Sequence, residues 1–538
     1  MSGSESDFVV VGAGSAGCVL AARLVSYSDA SVTLLEAGGA DDHPLIRMPM
    51  AWMRVMMMPN YGWGTVSEPE PHMDGRVQPL PRGRVLGGCS TINGTMYIRG
   101  MAADYDAWRD AGLTGWGYED VLPYFKRAET NWRGAGPGRG GSGPLAVTPL
   151  SKHPEIYPAF LEAAKELGYG EIPDFNVPEP EGFSMPDCSI KDGRRHSTSD
   201  AYLTPALVRR NLRLVTDAQV RRIVVEGGRA VGVEFDRNGT REVIRARREV
   251  ILCAGAFHSP QLLMLSGIGD ASALQDLGIQ PLVDLPGVGA NLQDHAIALS
   301  IWQARRPITF ERELRLDRLL FNVLRWSFTG KGSPGQSPLS IQGFVRSGSD
   351  ADRPDLQFQA SHVSYAARPW FPIVRPGAGH QISAGTLLLN PRSRGRVSLA
   401  SPDPKALPKV LLNFLADGED RRRLRDAMRF MRRFFRTSSA QSIASLELAP
   451  GEQVESDEAL DAWLRASVIS GAHPTSTCAM GTGPEAVVDA QLRVRGVGGL
   501  RVADCSVMPR IVRGNTNAPA IMIGEKAADL VLGRPALA

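Results

Sequence analysis

Cysteine is scarce in this chain: six residues among 538, at positions 18, 89, 188, 253, 478 and 505. None falls in the paired spacing of a zinc site or a disulfide framework, so neither is expected to organise the fold, and reduced thiols are the simpler reading. Long apolar runs are missing too. No stretch reaches about 18 apolar residues, which excludes a bilayer-spanning helix. Charge of one sign is not in excess: 60 Lys and Arg against 57 Asp and Glu leave a net +3. That balance gives no reason to expect nucleic acid or a strongly acidic partner. The opening residues, MSGSESDFVV, lack the basic segment and apolar core of a secretion signal, so a soluble, cytoplasmic protein is expected. The nearest thing to a membrane segment, MPMAWMRVMMMP at 48–59, is short and contains Arg54. It reads as a flexible Met-rich wall or lid, with peripheral membrane contact as the alternative.

What is present is a globular composition, 43% hydrophobic and 22% charged, on a chain too long for one ordinary domain. Residues 7–12 (DFVVVG) form an apolar run suited to a buried strand. Residues 15–27 follow with helical apolar spacing, and 31–36 (SVTLLE) give a second strand. Gly12, Gly14 and Gly17 fit G-x-G-x-x-G at the first turn, with Ser15 and Ala16 opening the helix. The first glycine allows the tight turn, the second lets a pyrophosphate approach the backbone, and the third lets helix and strand pack closely. The helix N-terminus offers free N–H groups and a positive dipole to phosphates. Glu36 ends the second strand, 19 positions after Gly17, where a carboxylate can accept ribose hydroxyls. This is a dinucleotide-binding unit. NAD and FAD share the adenosine diphosphate that it holds, and an acid at 36 disfavours NADP.

Further on, 212–253 reads as a hairpin meander ending in the apolar strand REVILCAGA. Pro- and Gly-rich stretches at 133–144 and 331–338 mark loops and segment junctions. Residues 419–436 read as a helix with Leu424, Met428, Met431, Phe434 and Phe435 on one side and its arginines on a solvated face. The fold class expected is an α/β nucleotide-binding lobe of the Rossmann type with a second, α+β lobe built from later segments.

Four stretches carry a resemblance over nearly the whole chain: GRVLGGCSTINGTMYIRGMAADYDAW (83–108), GAFHSPQLLMLSGIG (255–269), LPGVGANLQDH (285–295), and HPTSTCAMG with GLRVADCSVMPRIVRGNTNAPAIMIGEKAAD near the end. They resemble the glucose–methanol–choline (GMC) family of FAD-dependent alcohol oxidoreductases, in the style of its bacterial choline-dehydrogenase-like branch. The resemblance implies an FAD domain at 1–152, 196–311 and 465–538, interleaved with a substrate domain at 153–195 and 312–464 built on an antiparallel sheet. It also implies that Gly88, Asn93, Gly94, Thr95 and Met96 line the isoalloxazine and that Val220 touches the adenine. Ala254 would lie by the pyrophosphate-side strand, and Asp504 and Ala518 near the ribityl chain and ring. Ile92 stands where some relatives attach FAD through histidine, so non-covalent FAD is expected.

By the same resemblance His473 is the general base and Asn517, 44 residues later, its partner. His258 and His295 are expected to be structural or on the cofactor side. The implied reaction is oxidation of a primary alcohol to the aldehyde by hydride transfer to flavin N5, with oxygen or a quinone-like carrier as the final acceptor. Choline is disfavoured because Ser340 aligns where choline-oxidising relatives carry a glutamate. Small residues at Gly471 and Ala472 leave room above the flavin, and Trp52, Trp370 and Phe371 are candidates for an apolar channel. Aryl, furanic, aliphatic and polyether alcohols therefore head the expected substrates. The alternatives are a choline-type dehydrogenase, a fatty-acid photodecarboxylase (which lacks a histidine at 473), a non-catalytic flavin-binding scaffold, and an NAD-dependent dehydrogenase.

Overall fold

Strands whose side chains are apolar on both faces must be covered on both faces, and the first turn of this chain meets that demand with helices. In the computed structural model, which describes residues 4–537, β1 (Ser4–Val11), α1 (Ser15–Tyr27) and β2 (Val32–Leu35) form the expected βαβ unit. Phe8–Val11 pairs in parallel with Val32–Leu35 on one side and with Glu249–Leu252 on the other. Gly17 is the close-packing residue of this unit: a Cβ there would lie 1.9 Å from the Gly12 carbonyl oxygen, so no larger residue lets the helix sit down on the strand.

The expected meander is present over β4 (Ala218–Glu226), β5 (Arg229–Arg237) and β6 (Thr240–Leu252), while the first strand of that stretch, β3 (Leu212–Val215), instead pairs in parallel with β2. The first sheet runs β4-β5-β6-β1-β2-β3, and the late strand Leu500–Val502 adds to β6 to make seven. Its centre is parallel, and the β4-β5-β6 meander is antiparallel.

A second seven-stranded sheet is antiparallel throughout. Its central strands are Ala296–Ala304, Gln381–Leu388, Leu356–Ser361 and Leu339–Val345. The boundaries expected from the sequence put 296–304 and 469–470 with the nucleotide-binding segments, yet both belong to this second sheet. The helix Gly418–Arg436 covers it, with Phe434 stacked on Phe183 (5.8 Å between ring centroids) and Phe435 on Trp302 (4.6 Å). Its arginines are not simply solvated. Arg432 is buried against Glu447 at 3.0 Å, and Arg422, Arg423 and Arg425 pair with acids of this helix and of Asp457–Ser467. The six cysteines are free, as expected. Among the described residues no helix is long and apolar enough to cross a membrane, and no cluster suited to a metal ion is present.

The final helix, Asn517–Leu532, returns to pack on α1. Their contact is held by Glu525, fully buried, which accepts from Arg23, Arg127 and the Tyr202 hydroxyl at 2.7–3.1 Å. Removing only the anion would leave the largely buried Arg23 without its carboxylate, while Arg127 keeps Asp529 at 2.8 Å, at a cost of about 3 kcal/mol. Glu525→Leu is therefore expected to lower the urea midpoint of unfolding sharply. A midpoint equal to that of the parent chain would show that the cluster does not hold the two helices.

Candidate active site

The two sheets meet around one cavity of about 460 Å³. At one end it is lined by the βαβ unit: Gly12, Gly14, Ser15, Ala16 and Glu36 all face it. Gly17 does not, because it is occupied with packing α1 on β1. Glu36 accepts from the backbone N–H groups of Ala13 (2.9 Å) and Gly38 (2.8 Å). Burial pushes its carboxyl up to about 7, against these hydrogen bonds, which pull it down.

The segment 88–96 crosses above this turn. Gly88 has φ +52°, and a Cβ on it would stand 2.7 Å from Gly14 Cα, so two backbones touch here with no side chain between them. Gly14 itself has open space on its cavity side, its nearest neighbour lying 3.9 Å from a built Cβ. Asn93, Gly94, Thr95 and Met96 continue along the wall, with Val220 and Ala254 on another side. Asp504 also faces the cavity and accepts from the Gly255 N–H (2.9 Å) and the Ser259 hydroxyl (2.6 Å), tying the start of helix 255–265 to the last strand. Ala518 is the exception: it is buried inside its helix, and Asn517 and Ala520 supply that stretch of wall.

His473 stands at the other end of the cavity. Its loop is bound to the start of strand 296–304, where the Gly471 N–H donates to the His295 carbonyl at 2.7 Å. Asp294 Oδ1 accepts from the backbone N–H groups of both His295 and His473 at 2.8 Å. Ala472 turns the chain with φ +60°, and its carbonyl accepts from Arg82 at 2.7 Å.

The imidazole Nδ1 of His473 lies 3.0 Å from Nδ1 of His295, and its Nε2 lies 3.0 Å from the Asn515 side-chain nitrogen. Asn515 Oδ1 in turn accepts from Gln357 Nε2 (3.2 Å), which also donates to Gln342 Oε1 (3.1 Å). That network presents the Asn515 amide N–H to Nε2. Nε2 therefore carries the lone pair, and the Nδ1 proton points at His295. Burial first, then the neighbouring His295 and Arg82, hold His473 well below the ordinary 6.5, so the ring is neutral. Burial brings His295 down to about 3. Asp294 rises to about 6, also by burial.

Asn517, expected as the partner of His473, is not in that place. Its Oδ1 accepts from the Ser15 hydroxyl at 2.7 Å, at the phosphate-side turn. The sequence GNTNAPA holds two asparagines two residues apart, and it is the first, Asn515, that reaches the imidazole. His295, expected to be structural, touches it directly. His258 lines the cavity, its ring tilted against Trp63 at 4.1 Å between centroids. Trp52 lines the cavity, with Met53 and Met56, as a Met-rich wall would. Trp370 and Phe371 do not: Trp370 packs with Met50, Phe310 and Leu314, and Phe371 is exposed. Ser340 is also turned away, bonded to His362 at 2.9 Å. The glutamines 342, 357 and 359 were not anticipated. The period-two spacing of Gln357 and Gln359, on one face of a strand otherwise rich in apolar residues, is the signal that could have found them.

Two GMC oxidoreductase family models match, over residues 6–297 and 391–524. The chain belongs to the GMC oxidoreductase family. An oxygen-dependent choline dehydrogenase of Rhizobium etli (strain CIAT 652) is 43% identical over 548 aligned positions, covering 99% of this chain and 97% of the relative. Among solved structures, pyridoxine 4-oxidase from Mesorbium loti aligns with a TM-score of 0.87 at 32% identity, over 97% of this chain and 98% of that one. Formate oxidase of Aspergillus oryzae RIB40, in a study of its FAD, aligns with a TM-score of 0.92 at 27% identity, over 99% of both chains. This GMC oxidoreductase is accordingly an FAD-dependent enzyme acting on CH–OH groups.

The cradle fits that cofactor: a glycine turn open over Gly14, an acid at the end of β2, and a bare-backbone contact at Gly88. Losing a charged hydrogen-bond acceptor in such a site costs about 1.5–3 kcal/mol. Glu36→Ala is expected to weaken FAD retention at least about tenfold by ultrafiltration, with the secondary structure intact; undiminished retention would remove Glu36 from the site.

Proposed function

We propose that this enzyme oxidises a neutral primary alcohol to the aldehyde with His473 as general base and Asn515 as the group that holds the substrate oxygen. The observation that carries the reading is the neutral His473 imidazole, its Nε2 lone pair facing the cavity beside an amide donor. FAD would lie with its pyrophosphate over Gly12, Gly14, Ser15 and Ala16 and its ribose hydroxyls at Glu36. Val220 would meet the adenine and Gly88–Met96 the isoalloxazine. Ile92, which lines the cavity, has no atom able to bond the flavin, so the cofactor is held non-covalently. Bound FAD supplies, at N5, the acceptor for the hydride leaving the carbinol carbon.

The chain's own residues do the rest. His473 Nε2 takes the hydroxyl proton, while its Nδ1–H stays on His295 Nδ1, which fixes the tautomer and ring orientation. The Asn515 amide has two N–H groups, and one that meets Nε2 in the resting site can donate to the developing alkoxide when substrate enters. Around this point the walls are apolar, with Trp52, Met53, Met56, Leu339, Val363 and Tyr365, and Gly471 and Ala472 leave space beside the base. The only carboxylates among the described lining residues are Glu36 and Asp504, both at the nucleotide end. An ammonium group would thus find no carboxylate on the cavity wall beside the base, Asp294 being taken up by backbone N–H groups and the Ser470 hydroxyl, which favours aryl, furanic, aliphatic or polyether alcohols.

Choline is the second reading. The similarity to the choline dehydrogenase of R. etli favours it, and Trp52 and Tyr365 could face a cation. Anaerobic mixing of the yellow holoenzyme with benzyl alcohol and with choline separates the two: faster bleaching by choline would overturn the neutral-alcohol assignment. Admission of air then assigns the acceptor, since peroxide with rapid recolouring means oxygen and slow recolouring means a quinone-like carrier. A flavin that no alcohol bleaches would leave only a scaffold.

His473→Ala is expected to slow flavin reduction by about 10²–10⁴, and Asn515→Ala to slow it more than Asn517→Ala does. The base works unprotonated, and its pKa lies well below 6.5. The reduction rate in the parent enzyme should therefore stay level as pH falls to 6.5 and decline only in more acid solution. A half-maximal rate at or above pH 6.5 in stopped-flow measurements would contradict a buried neutral base.

A further inference from the structure

The helix Leu316–Thr329 carries its apolar residues on the wrong side for a core. Leu316, Leu320, Phe321, Leu324 and Phe328 are all exposed, Phe321 at 66% and Phe328 at 88%. At 100° per residue they span an arc of about 140° on one face, while Trp326 alone is buried on the other. The start of this helix is stitched to the loop 365–375: Leu316 N–H donates to the Trp370 carbonyl (2.9 Å) and Trp370 N–H to the Leu314 carbonyl (3.1 Å). That loop adds three more exposed apolar side chains, Phe371, Ile373 and Val374. Scattered single exposures need no explanation, but a contiguous helix face with an apolar loop beside it does.

The exposed, unpaired charge on the same segments is positive. Arg312, Arg325, Lys331, Arg368 and Arg375 are exposed, and among the described residues none has a carboxylate within ion-pair distance. Of the acids nearby, Asp317 is paired with Arg315, Glu313 accepts from Asn322, and Glu311 is buried and bonded to the Ala378 N–H. Five free cations thus flank an exposed apolar face.

We propose that this face docks on the surface of a bilayer rich in anionic lipid. Leu and Phe side chains would enter the headgroup boundary while the arginines meet lipid phosphates, the arrangement of an in-plane amphipathic helix. A second copy of the chain is the poorer occupant, because a two-fold interface sets a patch against itself and would bring the unpaired cations together. The position has a consequence for access. Tyr365, 44% exposed, lies on the docking loop and also lines the cavity, so the surface in contact with lipid borders the cavity wall. This inference stands on surface chemistry and is independent of which alcohol is oxidised.

The test is flotation of the FAD-loaded protein with vesicles of phosphatidylcholine alone and with about one third phosphatidylglycerol, at low and physiological salt. Binding is expected only to the anionic vesicles and is expected to weaken with salt. Phe321→Glu with Phe328→Glu should reduce vesicle binding by about tenfold or more, with flavin absorbance and turnover of a water-soluble alcohol unchanged. Arg368→Glu with Arg375→Glu should reduce binding to anionic vesicles in the same way, through charge alone. Equal binding to both vesicle types, or none to either, would overturn the proposal. So would a concentration-dependent dimer in light scattering that the Phe substitutions dissolve.

Discussion

Two imidazoles meeting nitrogen to nitrogen can share only one proton, and the candidate active site depends on that contact. The Nδ1 atoms of His295 and His473 are 3.0 Å apart, so one ring must donate and the other accept, and neither is easily charged beside the other. The backbone is arranged to hold the rings there. Asp294 takes the N–H groups of both residues, the Gly471 N–H closes on the His295 carbonyl, and Gln293 pairs with Thr475 on the far side. Because strand 296–304 begins at the next residue, the central strand of the second sheet fixes where the His473 ring stands. Asn515 arrives from the other direction, on the chain leading into the helix that Glu525 clamps to α1. The site is therefore where the two sheets' connections cross, and neither sheet could form it alone.

The parts legible in the sequence are those whose physics is local. A glycine turn between an apolar strand and a helix, followed by an acid at the end of the next strand, announces its geometry within about 30 residues. The meander at 218–252 does so through its turn chemistry. The helix 419–436 was readable from its apolar stripe, but the pairing of Arg425 and Arg432 was not, since the acids they meet lie on 457–467 and on the strand carrying Glu447. His473 could be singled out only through the family pattern, for nothing in its immediate neighbours distinguishes it from eight other histidines. Asn515 and Asn517 illustrate the limit well. Both are asparagines in one short segment, and the turn into the last helix sends one to the imidazole and the other to Ser15. Distance along the chain cannot tell which. Trp370, Phe371 and Ser340 failed for the related reason that an aromatic or a hydroxyl near a site in sequence can face away from it in space.

The electrostatics of the catalytic end follow from what is neutral there as much as from what is charged. A free carboxylate beside His473 would favour its imidazolium and remove the base. The one carboxylate in contact with the loop, Asp294, is committed to backbone N–H groups and to the Ser470 hydroxyl, and burial raises it to about 6. The donors offered to a substrate oxygen are amides, from Asn515 and the glutamines behind it. These can stabilise developing negative charge without changing the protonation of the ring. Arg82, held on the Ala472 carbonyl, adds positive potential that both depresses His473 and favours an alkoxide. In the proposed mechanism, proton removal and charge stabilisation thus fall to different groups. His473 can stay neutral at working pH while the cavity would still welcome an anion, a combination that a single charged residue in either role would not allow.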